Sequence, residues 1–272
     1  MRWINTRPNR GAQLALMLLP FVLLVAAYAA GSAARLAENA NDKLLPGLTG
    51  FADAVNRLAF LPDARTGDYL LWSDTAASLI RLFAGLGIST ATALLIGMAI
   101  GMLPYLRALL APFVAAVSMV PPLALLPLLF IVMGLGEASK IALITIGVAP
   151  TMIRDLALKV LELPREQIVK AETLGGSSWQ IALRVVLPQI LPRLLTCVRL
   201  QLGPAWLFLI AAEAISSDSG LGYRIFLVRR YLSMDVIFPY VVWITLLAVL
   251  TNFVVDRIRI AVFPWSELEK QG

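Results

Sequence analysis

Six stretches of this chain stay apolar for about as long as a bilayer is thick, and that limits its fold more than any other feature. They fall at residues 14–34, 79–103, 110–134, 138–160, 191–214 and 238–262. Each is near the roughly 20 residues a helix needs to cross about 30 Å of hydrocarbon. In lipid every backbone N–H and C=O must be satisfied internally, and a helix does this within one segment. No stretch shows the roughly ten-residue alternation of a membrane barrel. Of 272 residues, 59% are hydrophobic and 15% charged, against about 25% charged in a soluble domain. A single soluble core could not hide that much apolar surface. The expected fold is an all-α integral membrane protein with six transmembrane helices.

The run at 14–34 follows Arg2, Arg7 and Arg10 and ends at Ala33 and Ala34, as a cleaved signal peptide could. It exceeds the 7–15 residues of a usual signal core, so an uncleaved first span is the reading adopted. The largest polar segment, 35–75, includes Asn39, Asn41, Asp42, Lys43, Pro46, Pro62, Asp63 and Asp68. The third and fourth runs are separated by Gly134-Leu135-Gly136-Glu137, which predicts a tight hairpin. The expected organisation is a cytoplasmic N-terminus with the first helix (1–35), an external segment (36–75), a five-helix core (76–262) and a cytoplasmic tail (263–272).

The net charge of +6 is spread between apolar runs, which reads as a topology signal and not as a nucleic-acid surface. With the N-terminus inside, thirteen Lys and Arg residues, Arg154 among them, fall inside and eight outside. Discounting the long 35–75 segment leaves four outside, so both termini are expected in the cytoplasm. Arg224, Arg229 and Arg230 on the outer face run against the trend. There is no histidine and one cysteine, Cys197. That removes the commonest general base and metal ligand, and no metal site is expected. Cys197 reads as a small buried hydrophobe. Asp155 and Asp256 lie near the cytoplasmic ends, where solvation is expected.

Gly85, Ser89, Ala93, Gly97 and Gly101 recur every fourth residue, a stripe along which another helix backbone can approach. Its neighbour could be in this chain or in a second copy. In the segment 161–192, Pro164 suits a first helical position and Glu166 the first turn. Ile168, Ala171 and Leu174 form a short apolar edge that stops at Gly175-Gly176. Ser177 with Gln180 makes a capping box for a second helix, which Pro188 is expected to end. A helix of about ten residues is marginal alone. It would dock in a partner's groove or lie in the headgroups.

Ala171-Glu172-Thr173-Leu174-Gly175, followed by Val185-Val186-Leu187-Pro188, resembles the signature loop of binding-protein-dependent ABC importer permeases. That pattern is Glu-Ala-Ala, three residues, Gly, nine residues, an aliphatic, any residue, then Leu-Pro. Ala171, Gly175, Val185, Leu187 and Pro188 match, while Val169 and Lys170 stand where Glu and Ala are expected. Pro121-Pro122 to Pro127 with Gly134-Leu135-Gly136-Glu137, Ser78 to Arg81 with Gly85, and Ser219-Gly220-Leu221-Gly222-Tyr223 are similar to the nitrate/sulfonate/taurine branch of that family. Together they cover about residues 76–262. Asn41 to Pro46 and Phe226 to Tyr231 are similar to permeases associated with urea or guanidine use.

The resemblance implies a type I importer permease in a bacterial inner membrane, built as a homodimer with two ATPase subunits and an external solute-binding protein. It also implies that Ala171, Glu172, Leu174 and Gly175, with Leu187 and Pro188, form a coupling helix and its exit. None of the five lysines follows a glycine, so the chain lacks a phosphate-cradling loop. ATP and Mg²⁺ are then expected on the separate ATPase, and this chain is not expected to be an enzyme. An ion-coupled carrier or channel is the competing class, but no mid-membrane carboxylate or histidine relay supports it. For the pathway, Glu213 is the intramembrane ionisable candidate; it could instead be a structural carboxylate paired with Arg224, Arg229 or Arg230. Pro121 and Pro122 break the third run and free backbone carbonyls, and Met119 beside them could face the same cavity.

Overall fold

A computed structural model describes residues 9–39, 42, 44–64 and 66–265. Arg2, Arg7, Asn41, Lys43, Arg65 and Lys270, used above for topology or resemblance, lie outside these residues. Regular structure among the described residues is helical throughout. The chain divides into two compact units, residues 1–69 with 228–240, and residues 70–227 with 241–272.

In the first unit, α1 (Arg10–Glu38) starts where the Asn9 side chain accepts from the Ala12 amide at 2.8 Å, satisfying one orphan donor. Its most apolar stretch has no buried residue, as befits a helix whose neighbour is lipid. The segment expected to be merely polar contains an amphipathic helix, α2 (Leu48–Ala59), which buries Ala54, Leu58 and Ala59. The connection to it is held by Tyr28, which donates to the Pro46 carbonyl at 2.8 Å, and by Ser32, which donates to that of Leu45 at 3.0 Å. Tyr28, Phe51 and Phe238 form a ring cluster with centroids 5.5–5.9 Å apart. Asp42 receives the Leu44 amide and pairs with Arg35, which together hold its carboxyl below the usual range.

The second unit holds the core. Here α3 (Leu70–Met102) and α6 (Glu137–Leu161) pack along the small-residue stripe, so that stripe's neighbour belongs to this chain. A Cβ on Gly85 would lie 2.7 Å from the Ile144 side chain, and one on Gly97 3.0 Å from the Ile153 carbonyl. Ser89 and Ala93 are fully buried. The turn at Ala93–Gly97 is π-helical. Alongside runs α8 (Ser178–Ile215), burying Ile190, Leu194, Ala205 and Leu209. After the short α9 (Leu221–Arg229), the final helix, α10 (Met234–Val262), is joined to α3 through Trp243, which donates to Thr75 at 2.9 Å and meets Trp72 edge-on at 5.5 Å.

The break expected at Pro121-Pro122 divides the third apolar run into two helices: α4 (Pro104–Val117) and α5 (Leu126–Met133) are joined by a 3-10 turn at Pro122–Leu125 and bent by 84°. Among the described residues, five helices therefore have the length and apolarity to cross, or six if the bent pair counts as one span. The expectation at Pro188 is corrected, because it does not end a helix. Ser178–Ile181 continues through a π-helical turn at Ala182–Val186 into Leu187–Ile215. A π turn relieves the clash a proline ring makes with the preceding turn, and Gln189 donates its side-chain amide to the Val185 carbonyl at 2.8 Å.

Candidate functional site

Three sequence motifs that lie far apart in the chain meet in one polar cluster at the Glu137 end of α6. Ser78 and Arg81 come from α3, Glu137 and Lys140 from α6, Glu213 from the last turn of α8, Ser219 and Gly220 from the loop after it, and Gly222 from the first turn of α9. Glu213 is fully buried. It accepts from Arg81 Nη1 at 2.7 Å, from Ser78 Oγ at 2.8 and 3.0 Å, and from the Gly222 amide at 2.8 Å. Arg81 also grips Glu137 with two bonds of 2.5 and 2.8 Å and donates to the Ser219 carbonyl at 2.7 Å. Lys140 reaches Glu137 at 2.9 Å and Ser217 at 3.1 Å. Beside them Asp74, buried, accepts from the Gly220 amide at 3.0 Å and from Arg224 at 2.8 Å.

Three cations thus balance three carboxylates. Glu213's cation is Arg81 and not Arg224, which takes Asp74. The loop can approach only because it lacks side chains there. Gly220 has φ +121°, and a Cβ on it would sit 2.5 Å from the Glu213 carboxyl carbon; one on Gly222 would meet the Ile210 carbonyl at 2.7 Å. Two ionisable groups of opposite sign, one in the second apolar run and one in the fifth, are the sequence hint of this pairing.

At the other end of α6, α7 (Arg165–Thr173) has no buried residue. Pro164, expected at the first helical position, is instead its N-cap, and Arg165 takes that position. It ends in a Schellman motif: the Gly176 amide donates to Ala171 at 3.0 Å and the Gly175 amide to Glu172 at 2.9 Å, with Gly175 at φ +82°. The Ser177–Gln180 capping box is present. Ile168 and Ala171 are half-buried, whereas Val169, Leu174 and Trp179 are 54%, 80% and 70% exposed. Gln167 on α7 and Gln189 on α8 are linked at 3.0 Å. A cavity of about 650 Å³ adjoins them, lined by Lys159, Glu162, Gln167, Gln189, Arg193 and Arg259 among others.

Asp155 and Asp256 are paired and not simply solvated. Asp155 takes Arg193 at 2.5 and 2.8 Å and the Cys197 thiol at 2.5 Å; Asp256 takes Arg199 at 2.6 Å and Arg259 at 3.0 Å. Met119, Pro121 and Pro122 lie together at the break between α4 and α5, with Met119 78% exposed. Ser118 beside them receives Arg154 Nη1 at 3.4 Å. Glu213 is not with them: Glu137 and Arg154 are seventeen residues apart on α6, about 25 Å along a helix.

The profile of the family described as binding-protein-dependent transport system inner membrane component matches residues 89–265. The chain belongs to this family. This permease is 36% identical to the taurine transport system permease protein TauC of Escherichia coli over 199 residues, 73% of this chain and 72% of TauC. Against the putative aliphatic sulfonates transport permease SsuC of Bacillus subtilis it is 30% identical, covering 72% and 71%. The bicarbonate transport system permease CmpB of Synechococcus elongatus is 31% identical over 57% of this chain and 56% of its own. These relatives place the permease in the nitrate/sulfonate/taurine branch of ABC importers. Its fold matches a chain of the MetNI methionine ABC transporter, with a TM-score of 0.63 at 23% identity, over 74% of this chain and 99% of that one. The chain is a multi-pass inner-membrane permease subunit of type I architecture and not an enzyme.

Proposed function

We propose that this permease forms the pore of an importer for a small solute bearing an oxyanion, driven by separate ATPase subunits that dock on α7. The relation to TauC over nearly three quarters of both chains carries the reading, and it favours an anion over urea or guanidine. The chain's own contribution to coupling is a helix without a buried residue, capped at Gly175, that offers Val169, Leu174 and Trp179 to a groove. Val169 and Lys170 replace the family's Glu and Ala, so apolar contact takes a larger share of the docking. The permease pairs with a second copy and receives solute from an external binding protein. ATP and Mg²⁺ are held by the ATPase. Glu213, with its oxygens taken by donors of its own chain, is a structural carboxylate and not a pathway residue.

Co-purification from membranes tests this. Leu174→Ser should reduce the ATPase recovered with the permease by about tenfold, since it strips one large apolar contact, while the permease itself stays folded. Wild-type uptake should be vanadate-sensitive. If no ATPase co-purifies with the wild-type chain and uptake survives vanadate, the importer reading is wrong.

A further inference from the structure

We infer that Arg154, with Ser118 at the break between α4 and α5, is the anion-holding site of the permeation path; this rests on the reading of the permease as an oxyanion importer. Between Ser139 and Val160, α6 exposes only Arg154 and Leu158. Arg154 lies seven residues before the helix end at Leu161, about 10 Å inside it. Its guanidinium donates to the hydroxyl of Ser118 at 3.4 Å, at the C-cap of the 14-residue helix α4.

This guanidinium is unlike its neighbours. Arg193 sits on Asp155, and Arg199 and Arg259 on Asp256. Among the described residues, Arg154 has no carboxylate within 4.0 Å. Nor does it cap α4. The last four carbonyls of that helix, Val114 to Val117, already accept from Ser118 N, Ser118 Oγ, Met119 N and Val120 N. An exposed, uncompensated arginine facing lipid costs about 2.5–3.5 kcal/mol at a span's centre on insertion scales, and less towards its end, where Arg154 lies. A wet path removes that cost, and the broken backbone at Met119 to Pro122 is of the kind tolerated at membrane depth where it lines such a path.

The chemistry then selects the ligand. A fixed positive charge attracts the oxygens of a sulfonate or carboxylate, and it repels guanidinium. One cation beside one hydroxyl is also a weak holder, as a transit site must be if solute is to leave.

The test is uptake by proteoliposomes containing the permease with its ATPase and binding protein, using taurine, methanesulfonate, bicarbonate, guanidinium and urea as probes. Wild type should take up at least one anion and neither guanidinium nor urea. Arg154→Gln should lower the anion's maximal rate about tenfold or more, with assembly intact, and Arg154→Lys should recover most of it. An Arg154→Gln rate equal to wild type overturns the site but leaves the importer reading standing. So does loss in Arg154→Lys equal to that in Arg154→Gln, accompanied by loss of assembled protein. Wild-type uptake of guanidinium or urea alone overturns the site and the anion class together, and no uptake of any probe overturns the proposed function as well.

Discussion

At the scale of single residues, the cluster around Glu213 shows what makes an ionised carboxylate tolerable inside an apolar bundle. Moving such a group out of water costs several kcal/mol, and attraction offsets this only with good geometry and no spare lone pairs. Arg81 meets the geometric demand by sending Nε, Nη1 and Nη2 to two carboxylates and Ser219; a lysine, with one nitrogen, could not. Removing the carboxylate strands part of that guanidinium. Glu213→Ala is expected to lose about 3–5 kcal/mol, and Glu213→Gln less, because Ser78 and Gly222 can still donate to its oxygen. Thermal unfolding in detergent, followed by size exclusion, measures this. An unchanged melting curve with altered transport would return Glu213 to the pathway. Glu213 was visible in the sequence as an acid inside an apolar run. Its partners were not, because Ser78 and Arg81 lie 135 and 132 residues away.

Individual helices and loops show how a local motif can be legible while its role in the fold is not. The capping box at Ser177 and the glycines at Gly175-Gly176 act within a few residues, and the structure contains both. Pro188 was misleading because helix-breaking depends on whether the preceding turn can widen, and here it becomes π-helical. The amphipathic α2 was missed inside a polar segment for a related reason: its apolar face is short and makes sense only beside Tyr28 and Phe238. Two glycine substitutions separate backbone need from packing need. Gly175 has positive φ but nothing within 4 Å of a built Cβ. Gly175→Ala should therefore cost only about 1–2 kcal/mol locally, preserving the melting curve while lowering ATP-driven uptake. At Gly220 a Cβ would also strike Glu213 and Arg81, so Gly220→Ala should deplete folded protein in the same melting assay. Equal melting of the two variants would contradict this contrast.

For the molecule as a whole, we propose from the distribution of lysine and arginine an orientation with both termini in the cytoplasm and α2 outside. The lone Cys197 is 3% exposed, so introduced cysteines can report the topology. Leu48→Cys, at a position 81% exposed, should react with a membrane-impermeant maleimide in cells whose outer layers are permeabilised. Trp265→Cys should react only in inverted vesicles. The reverse pattern would invert the orientation.

The sequence by itself determined that this is a helical membrane protein, where most of its long helices run, and which family its loop motifs belong to. Those properties depend on composition and on contacts a few residues apart, which lipid and backbone geometry dictate without reference to the rest of the chain. Only the tertiary structure decided that the glycine stripe of α3 packs on α6, that the third apolar run bends by 84°, and which charges are satisfied. Arg81 and Arg154 look alike in the sequence, each one basic residue near the end of an apolar run. Helix packing delivers two carboxylates to the first, and among the described residues none to the second. That difference arises from the register of segments far apart in the chain, so neither residue's surroundings could be read from its own neighbours.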